Sequence, residues 1–455
     1  MFFDLPLPEI EETEIGMLHF MMSRSVFIYT FGCQMNVHDS EKMLGILSQE
    51  GYERAESAED ADLIIFNTCA IREKAEQKFY SQLGRAKALK RKQRDVKIAV
   101  AGCVAQESKA KIFARAPHVD FIIGPQNVHM IGDLVAGRNR ASLTDDNREL
   151  ASLDVASSRQ SRIKAWVSVM YGCNNFCSYC IVPYTRGREV SRPSSSIVAE
   201  IRALAEEGYR EVTLLGQNVN SYRSDLDFPQ LLGRIDSLVV GRIRFVTSHP
   251  RDLSDELISA VAELPGVCEH IHLPIQSGSD RILSLMNRGY SYAQYLRKIE
   301  KIRQKMPEAG ITADVIAGFP GETAQDHEAT VRALREVEFD GIFAFQYSPR
   351  RGTKAAEMEG RVPDPEKSAR LAEILKVQEE MTLRRNRALE GTIQEILIEG
   401  PSETDSSLLM GRTRSNKIVT IEDAGEAEGS VVSVRIERAR LHSLAGARID
   451  CEGLV

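Results

Sequence analysis

The chain has 455 residues, of which 43% are hydrophobic and 27% are charged, and acidic residues outnumber basic ones to give a formal net charge of −7. This composition is typical of a globular protein with about three domains, and it excludes a disordered chain, a collagen-like repeat and a small disulfide-held domain. The net charge gives no overall signal for nucleic-acid binding. A local basic surface remains open, because a phosphate responds to the patch that it meets.

The N-terminus is acidic where a secretory signal would be basic, and no apolar run approaches the length of about 18 residues that spans a bilayer. We therefore expect a disordered tail over residues 1–24, no membrane partner and a cytoplasmic protein. Separately, we expect a monomer. In a reducing compartment the eight cysteines indicate metal binding, catalysis or core packing rather than disulfides.

Residues 25–140 alternate between short apolar runs and helical patterns. The apolar runs are VFIYT, LIIFNT, KIAVAG and DFIIG. Short buried runs that are each followed by a helix predict a parallel α/β sheet. Residues 141–164 are polar and lack periodicity, so we interpret them as a linker.

A second series of apolar runs and helices covers residues 165–390. Its six runs are WVSVMY, EVTLLG, IRFVTS, HIHLPI, ITADVIAG and GIFAFQYS. Six βα units predict a partial barrel of the TIM type, because full barrels have eight. Residues 391–455 change to short alternating runs separated by glycines, which predicts a small antiparallel barrel of about five strands.

Three cysteines, Cys173, Cys177 and Cys180, form a C-x3-C-x2-C motif directly after the first strand of the second series. That position is the C-terminal mouth of the barrel, where barrel enzymes place their chemistry. Three thiolates within eight residues can hold one iron–sulfur cube and leave one iron open to another ligand. Zinc and a structural knuckle are alternatives, although zinc usually takes four ligands and no histidine lies nearby.

Three further cysteines, Cys33, Cys69 and Cys103, are far apart in the sequence, but each follows a predicted parallel strand. The C-terminal ends of parallel strands face one crevice, so these thiols are expected to converge and to hold a second cluster with an open iron. Core packing is the alternative for each cysteine taken alone. Cys268 and Cys451 lack such partners and are interpreted as structural.

The predicted strands of the barrel end in polar loops that contain glycine or histidine. These loops are 216–222, 248–250, 276–280, 317–323 and 348–353. Each loop is a weak signal alone, but together they form a polar rim around the predicted cluster. His270 and His272 alternate on one strand and could face a metal, although buried strand residues are the simpler interpretation.

These motifs resemble those of the radical S-adenosylmethionine (SAM) superfamily and, within it, of the methylthiotransferases. The resemblance rests on the C-x3-C-x2-C motif, the three spread cysteines and the small C-terminal barrel, together with FGCQMNVHDSEKM, NTCAIREKAEQK and VPYTRGREVSRP. It implies an N-terminal methylthiotransferase domain, a radical SAM domain of the (βα)6 type and a TRAM domain. It also implies two [4Fe–4S] clusters, with SAM acting as radical source and as methyl donor.

The implied substrate is tRNA that carries N6-isopentenyladenosine beside the anticodon, with sulfur and a methyl group inserted at C2 of the base. Methylthiolation of threonylcarbamoyladenosine or of a ribosomal protein is the alternative, and a non-enzymatic iron–sulfur RNA-binding protein is a third. The electron donor and the source of sulfur stay open.

The residues expected to contact SAM are Tyr179, Gln217, Asn218, Ser248, His249, Gln276, Ser277 and Asp314. Those expected to contact tRNA are Arg412, Arg414 and Lys417, and the basic run 87–97 is either a solvated helix face or a phosphate contact.

Overall fold

The computed structural model describes residues 24–70, 73–137, 139–147, 157–238, 241–423 and 425–449. The chain divides into two compact units, one ending at Ser158 and the other beginning at Arg159. Nearly all of the tail predicted over 1–24, part of the linker and Cys451 lie outside the described residues.

The first unit is built on a six-stranded sheet in the order β2-β1-β3-β4-β5-β6, in which every neighbouring pair is parallel. The strands are β1 Arg24–Thr30, β2 Tyr52–Arg54, β3 Leu63–Thr68, β4 Lys97–Gly102, β5 Phe121–Ile123 and β6 Ala141–Leu143. The prediction of a parallel α/β fold is confirmed. Every residue of β3 is buried, as expected for a central strand that is covered on both faces.

Two strands of this sheet were not predicted. Strand β2 is short and two of its three residues are exposed, and β6 lies in the stretch that we interpreted as a linker. Both are edge strands with one neighbour, so a three-residue polar segment is enough to form them. The sheet of the first unit therefore extends to Leu143, beyond the predicted boundary.

The helices of the first unit connect successive strands. They are α1 Gln34–Gln49, α2 Glu73–Lys92, α3 Cys103–Ser108, α4 Lys111–Arg115 and α5 Ile131–Ala136, with short 3₁₀ turns at Ala58–Asp60 and Pro125–Met130. Helix α1 begins immediately after Cys33, and α3 begins at Cys103 itself. Two of the spread cysteines therefore lie at junctions between a strand and a helix.

The second unit contains six parallel strands in two adjoining sheets, as predicted for a partial barrel. They are β7 Lys164–Ser168, β10 Glu211–Leu215, β11 Arg242–Phe245, β12 His270–His272, β13 Gly310–Ala317 and β14 Gly341–Gln346. The first three pair in the order β11-β10-β7 and the last three in the order β12-β13-β14. A parallel bridge between Ile243 and Val267 links the two sheets. A two-stranded antiparallel pair, β8 Met170–Tyr171 and β9 Val190–Ser191, flanks the cysteine loop.

Helices cover the outside of this barrel and share one large apolar core with its strands. They are α6 Val182–Thr185, α7 Ser194–Glu206, α8 Phe228–Asp236, α9 Asp255–Glu263, α10 Asp280–Leu285, α11 Tyr292–Lys305, α12 Ala324–Val337 and α13 Asp364–Arg387. Reciprocal capping boxes start three of them, with Asp227, Ser291 and Thr323 as the capping residues. Each such cap satisfies backbone N–H groups that a helix start leaves without partners, which fixes where the helix begins.

The C-terminal segment forms a closed five-stranded barrel in the order β15-β16-β17-β19-β18, which confirms the predicted small barrel, with the β17-β19 pair parallel and the other pairs antiparallel. Its strands are β15 Ile393–Pro401, β16 Leu408–Thr413, β17 Ile418–Glu422, β18 Val431–Ala439 and β19 Leu444–Arg448. Alternating apolar side chains such as Ile396, Ile398, Val434 and Ile436 fill the interior. No helix within the described ranges is long and apolar enough to cross a membrane.

Three arginines, Arg242, Arg244 and Arg414, fasten this small barrel to the βα barrel, and we call them the arginine seam. Arg242 and Arg244 donate to the backbone carbonyls of residues 412, 413 and 414 over 2.6–2.8 Å. In the opposite direction, Arg414 makes a two-pronged contact with the Glu269 carboxylate, at 2.8 Å for each oxygen. The side chains of Arg242 and Arg244 are buried, so the seam is a packed interface rather than a surface contact.

Candidate functional site

The cysteine loop of the second unit begins at Gly172, directly after β8. A Cβ added at Gly172 would lie 2.0 Å from the carbonyl oxygen of Arg188, and its φ is +73°, so the position requires glycine. Inside the loop, the backbone N–H of Cys180 donates to the Cys177 carbonyl over 3.0 Å, and the N–H of Asn175 donates to the Cys173 sulfur over 3.5 Å. The loop therefore folds back on itself and keeps its three thiols within one short segment.

Burial and mutual charge repulsion keep the thiols of Cys173 and Cys180 protonated unless a cation is bound. Burial, together with the neighbouring Cys177 charge, raises the pKa of Cys173 to about 11 and that of Cys180 to about 12. Three adjacent thiolates repel one another unless a cation compensates for their charge. Binding a metal would therefore release protons from these thiols and stabilise their charged form.

The donor set fits an iron–sulfur cube better than a single ion. Within the part of the chain that the structure describes, no three Cys, His, Asp or Glu side chains meet closely enough to hold one metal ion. A zinc site needs four ligands around one point. In a cube each thiolate binds a different iron, so three thiols on one loop suffice and one iron is left open.

Polar side chains at the ends of three successive barrel strands form the rim beside this loop. Five buried polar atoms on this rim have no hydrogen-bond partner among the described residues, and all five belong to residues expected to contact SAM. They are Nε2 of Gln217, Oδ1 of Asn218, Oγ of Ser248, Nε2 of His249 and Oε1 of Gln276. Buried polar atoms without partners are rare, and a bound ligand is one way to satisfy them. The residues present therefore fit a polar ligand such as SAM.

The remaining contacts of these residues orient the rim. Gln217 accepts a hydrogen bond from the backbone N–H of Gly172, which joins the end of β10 to the cysteine loop. Asn218 donates to Asp252 over 2.8 Å. Nδ1 of His249 accepts the N–H of Arg251 over 3.2 Å, and burial, with Arg288 and Arg251 nearby, lowers the pKa of His249 to about 2. His249 is therefore a neutral imidazole at physiological pH.

Two rim positions hold a non-glycine backbone in the left-handed region. Thr247 has a φ of +69° and Gln276 has a φ of +67°. Such conformations cost of order 1–3 kcal/mol each and are concentrated at functional sites. Here they lie at the ends of β11 and β12, next to the polar atoms without partners.

The other residues expected to contact SAM have partners within the protein. The Ser277 hydroxyl lies 3.2 Å from that of Thr330, and Asp314 lies 3.6 Å from Nε2 of His272. The Tyr179 hydroxyl accepts a hydrogen bond from Nη1 of Arg288 over 3.3 Å. Their roles as SAM contacts stay predictions, and the Ser277 hydroxyl has a structural partner that sequence reasoning did not foresee.

The first unit brings the loops that follow β1, β3 and β4 together at one edge of the sheet, since these strands are direct neighbours. A Cβ added at Gly32 would lie 2.5 Å from the Cβ of Cys69, so the Cys33 and Cys69 loops touch. Nδ2 of Asn36 donates to the carbonyl of Thr68 over 3.1 Å, and the Thr68 hydroxyl donates to the carbonyl of residue 101 over 2.6 Å. The three cysteines therefore lie on loops that contact one another.

The side chains of two basic residues expected to contact tRNA, Arg414 and Lys417, pair across the interface between the two barrels, and the third, Arg412, pairs within its own barrel. Arg414 belongs to the arginine seam, and Nζ of Lys417 lies 2.6 Å from Asp340 on the βα barrel. Nε of Arg412 lies 3.1 Å from Glu399 of its own barrel. These ion pairs account for the three charges without RNA, because each side chain already has a carboxylate partner. Their role in RNA binding stays a prediction.

His270 is buried on β12 within hydrogen-bond distance of the Thr312 hydroxyl, at 3.2 Å. Burial, with Arg244 and His272 nearby, lowers its pKa to about 3 despite the opposing effect of Asp340. The unfolded chain binds a proton here below pH about 6.5, whereas the folded chain does not until about pH 3, so stability falls as the pH decreases. We expect acidification from pH 7 to pH 5 to remove about 2 kcal/mol of unfolding free energy through this residue.

Urea unfolding of the wild type and of His270→Gln at the two pH values measures this contribution. The glutamine keeps a polar group beside Thr312 but does not titrate, so the variant should lose about 2 kcal/mol less on acidification. An identical pH dependence in the two proteins would contradict the assignment.

Comparison with known proteins assigns three segments of the chain to known domain families. Residues 25–124 match the model described as uncharacterized protein family UPF0004, residues 167–334 match the radical SAM superfamily, and residues 387–447 match the TRAM domain. The tRNA-2-methylthio-N(6)-dimethylallyladenosine synthase of Thermodesulfovibrio yellowstonii is 51% identical over 94% of this chain and 99% of its own. The synthase of the same name from Syntrophus aciditrophicus is 47% identical, over 97% of each chain.

A solved structure of the radical SAM methyltransferase TsrM from Kitasatospora setae superposes with a TM-score of 0.54 at 16% identity, covering 74% of this chain and 77% of that one. This likeness concerns the fold alone. The fold, the cysteine loop and the three matched domains define the class: the chain is a radical SAM tRNA methylthiotransferase. It belongs to the family of tRNA-2-methylthio-N(6)-dimethylallyladenosine synthases. Enzymes of this class use a [4Fe–4S] cluster and SAM, and their partner is tRNA.

Proposed function

We propose that this enzyme inserts sulfur and a methyl group at C2 of N6-isopentenyladenosine beside the anticodon of tRNA, giving the 2-methylthio derivative. The observation that carries the proposal is the presence of two separate trios of cysteines at strand ends, one in each unit. One cluster suffices for radical chemistry, whereas methylthiolation also requires a site that holds sulfur. A second trio supplies ligands for such a site.

Cys173, Cys177 and Cys180 would hold the radical SAM cluster in the second unit. When bound, the reduced cluster and SAM supply a radical able to remove hydrogen from an unactivated aromatic C–H, which no side-chain acid or base can do. The residues of the chain would bind SAM and orient it. The polar atoms without partners at the ends of β10, β11 and β12 would take the polar groups of SAM. His249 is neutral, so its imidazole can form a hydrogen bond with SAM without adding positive charge to the site.

Cys33, Cys69 and Cys103 would hold a second [4Fe–4S] cluster, which would supply the site for the sulfur, with SAM as the methyl donor. Cys69 and Cys103 are buried and Cys33 is half-buried, so the protein shields this site from water on most sides. Two of the thiols lie at helix starts, where backbone N–H groups favour negative charge. Such surroundings suit thiolate ligands.

The open face of β13 and β14 offers a surface for an apolar base. Phe343 and Phe345 are 54% and 36% exposed, and the strand register places them beside Asp314 and Ile316. Sequence-specific RNA recognition commonly extrudes a single-stranded base and stacks it on aromatic side chains. An adenine with a five-carbon apolar group would bring more apolar surface to this pair of rings than an unmodified base does.

The test is anaerobic reconstitution of the full chain, incubation with tRNA that carries isopentenyladenosine, and mass spectrometry of the nucleosides. We expect the 2-methylthio derivative of that base, and no product on tRNA without the isopentenyl group. Methylthiolation of threonylcarbamoyladenosine or of a ribosomal protein instead would overturn the substrate assignment. Formation of no 5′-deoxyadenosine from SAM would favour a non-enzymatic iron–sulfur protein.

A further inference from the structure

Arg288 lies three residues beyond the end of α10, and its side chain points into the protein beside the cysteine loop. The residue is only 4% exposed. Its Nη1 lies 3.3 Å from the sulfur of Cys177 and 3.3 Å from the hydroxyl of Tyr179. Its Nε donates to the Tyr290 hydroxyl over 3.1 Å, and its Nη2 donates to the carbonyl of Pro274 over 2.9 Å. All three guanidinium nitrogens are therefore held in fixed directions.

Arg288 differs from other buried arginines of this unit in the kind of partner that it has. Four of those pair with a glutamate within 2.8 Å: Arg192, Arg242, Arg244 and Arg370. Among the residues that the structure describes, no carboxylate is paired with Arg288, whose partners are a thiol, two phenols and a carbonyl. Phenols titrate near pH 10 and are neutral at physiological pH. A buried guanidinium without an anion is costly, so the contact with Cys177 indicates where its counter-charge belongs.

We propose that Arg288 is a positioning residue that provides the counter-charge for the iron–sulfur cluster held by Cys173, Cys177 and Cys180, and that its hydrogen bond to the Cys177 sulfur raises the reduction potential of that cluster. The inference rests on the proposed function, which places a cluster on these three thiols. Hydrogen bonds to the sulfurs and the net charge of the surroundings set the potential of such clusters. Partners in the outer shell also orient the ligands themselves.

The step that Arg288 assists is the uptake of one electron by the cluster from a low-potential one-electron reductant. No bond is made or broken, and Arg288 neither gains nor loses a proton, because a guanidinium stays protonated in proteins. The electron adds negative charge beside a fixed positive one, so the reduced state gains more from Arg288 than the oxidised state does. Removing the positive charge should therefore make reduction harder.

The experiment is a redox titration of the reconstituted full chain without SAM, followed by electron paramagnetic resonance. It uses a Cys69→Ala background so that one cluster remains to be titrated. In Arg288→Gln the ratio of reduced to oxidised cluster at a fixed potential should fall about tenfold, which corresponds to about 59 mV for a one-electron couple. Arg288→Lys keeps the charge and should show a smaller shift in the same direction.

A second variant keeps the test decisive if Arg288→Gln does not fold. Tyr179→Phe preserves the ring but removes the other acceptor of Nη1, so that this N–H group donates to Cys177 alone. The potential of this variant should move in the opposite direction, to less negative values. Arg251→Gln is the matched control, because Arg251 is a nearby cation whose guanidinium donates to Asp252 and Asn175 rather than to a cysteine sulfur.

An unchanged potential in a folded, iron-loaded Arg288→Gln protein, or in Tyr179→Phe, would overturn the proposal. So would a shift in Arg251→Gln as large as that in Arg288→Gln. Failure of the Cys69→Ala protein to bind any cluster after reconstitution would instead overturn the proposed function.

Discussion

The Cys177→Ala variant is expected to lose SAM cleavage, with formation of 5′-deoxyadenosine falling by at least about a thousandfold. Cys177 is the middle cysteine of the loop, and its sulfur is the one that Arg288 contacts. Two thiols cannot retain a cube that already lacks a fourth protein ligand, so iron should fall from about eight to about four atoms per chain. Chromatography with mass spectrometry measures the product, and iron analysis measures the cluster.

Cys268→Ala is the matched control for this variant. Cys268 is a buried cysteine of the same unit, 1% exposed, that belongs to neither trio. Its replacement by alanine should cost some stability through the small cavity that it leaves, but iron content and SAM cleavage should persist. A Cys177→Ala protein with wild-type cleavage would refute the assignment of the loop as the cluster site.

The Cys69→Ala variant is expected to separate the two chemistries. Its loop touches the Cys33 loop in the first unit, so the loss should remove the second cluster and leave the first intact. Cleavage of SAM should stay within about tenfold of the wild type, iron should again fall to about four atoms, and methylthio product should be absent. Nucleoside mass spectrometry after a reaction with tRNA provides the readout.

Cys33→Ala and Cys103→Ala should behave as Cys69→Ala does, because a trio with one member removed fails in the same way whichever member is lost. Methylthio transfer at the wild-type rate in any of the three would contradict the assignment of sulfur transfer to this trio. Loss of SAM cleavage in all three would contradict the separation of roles.

The sequence predicted the candidate site best where the direction of the strands determines which loops lie side by side. Parallel strands place their C-terminal ends at one edge, and that rule alone predicted that the loops of Cys33, Cys69 and Cys103 would adjoin. The spacing of Cys173, Cys177 and Cys180 is local, so it could be read without the fold. Apolar runs such as residues 63–66 were recognised for the same reason, since a strand that is covered on both faces is apolar at successive positions.

Other features depend on contacts between distant residues and left no local pattern. Arg288 is 111 positions from Cys177, and an isolated arginine in a turn is ordinarily expected at the surface. Arg414 and Lys417 were expected to face RNA because basic residues on a small barrel suggest phosphate contacts. In the structure, Glu269 and Asp340 of the other barrel neutralise them, and nothing in the sequence around either pair reveals that pairing.

The arginine seam has a consequence for any truncation of the enzyme. A chain that stops at the end of α13 would deprive Arg242 of its acceptors on residues 395 and 412, and Arg244 of two carbonyl acceptors. Two guanidinium groups that are buried in the intact unit would then open to solvent on a bare sheet edge. The small barrel is therefore a structural part of the second unit rather than a tethered accessory, because it completes the hydrogen bonding of two buried arginines.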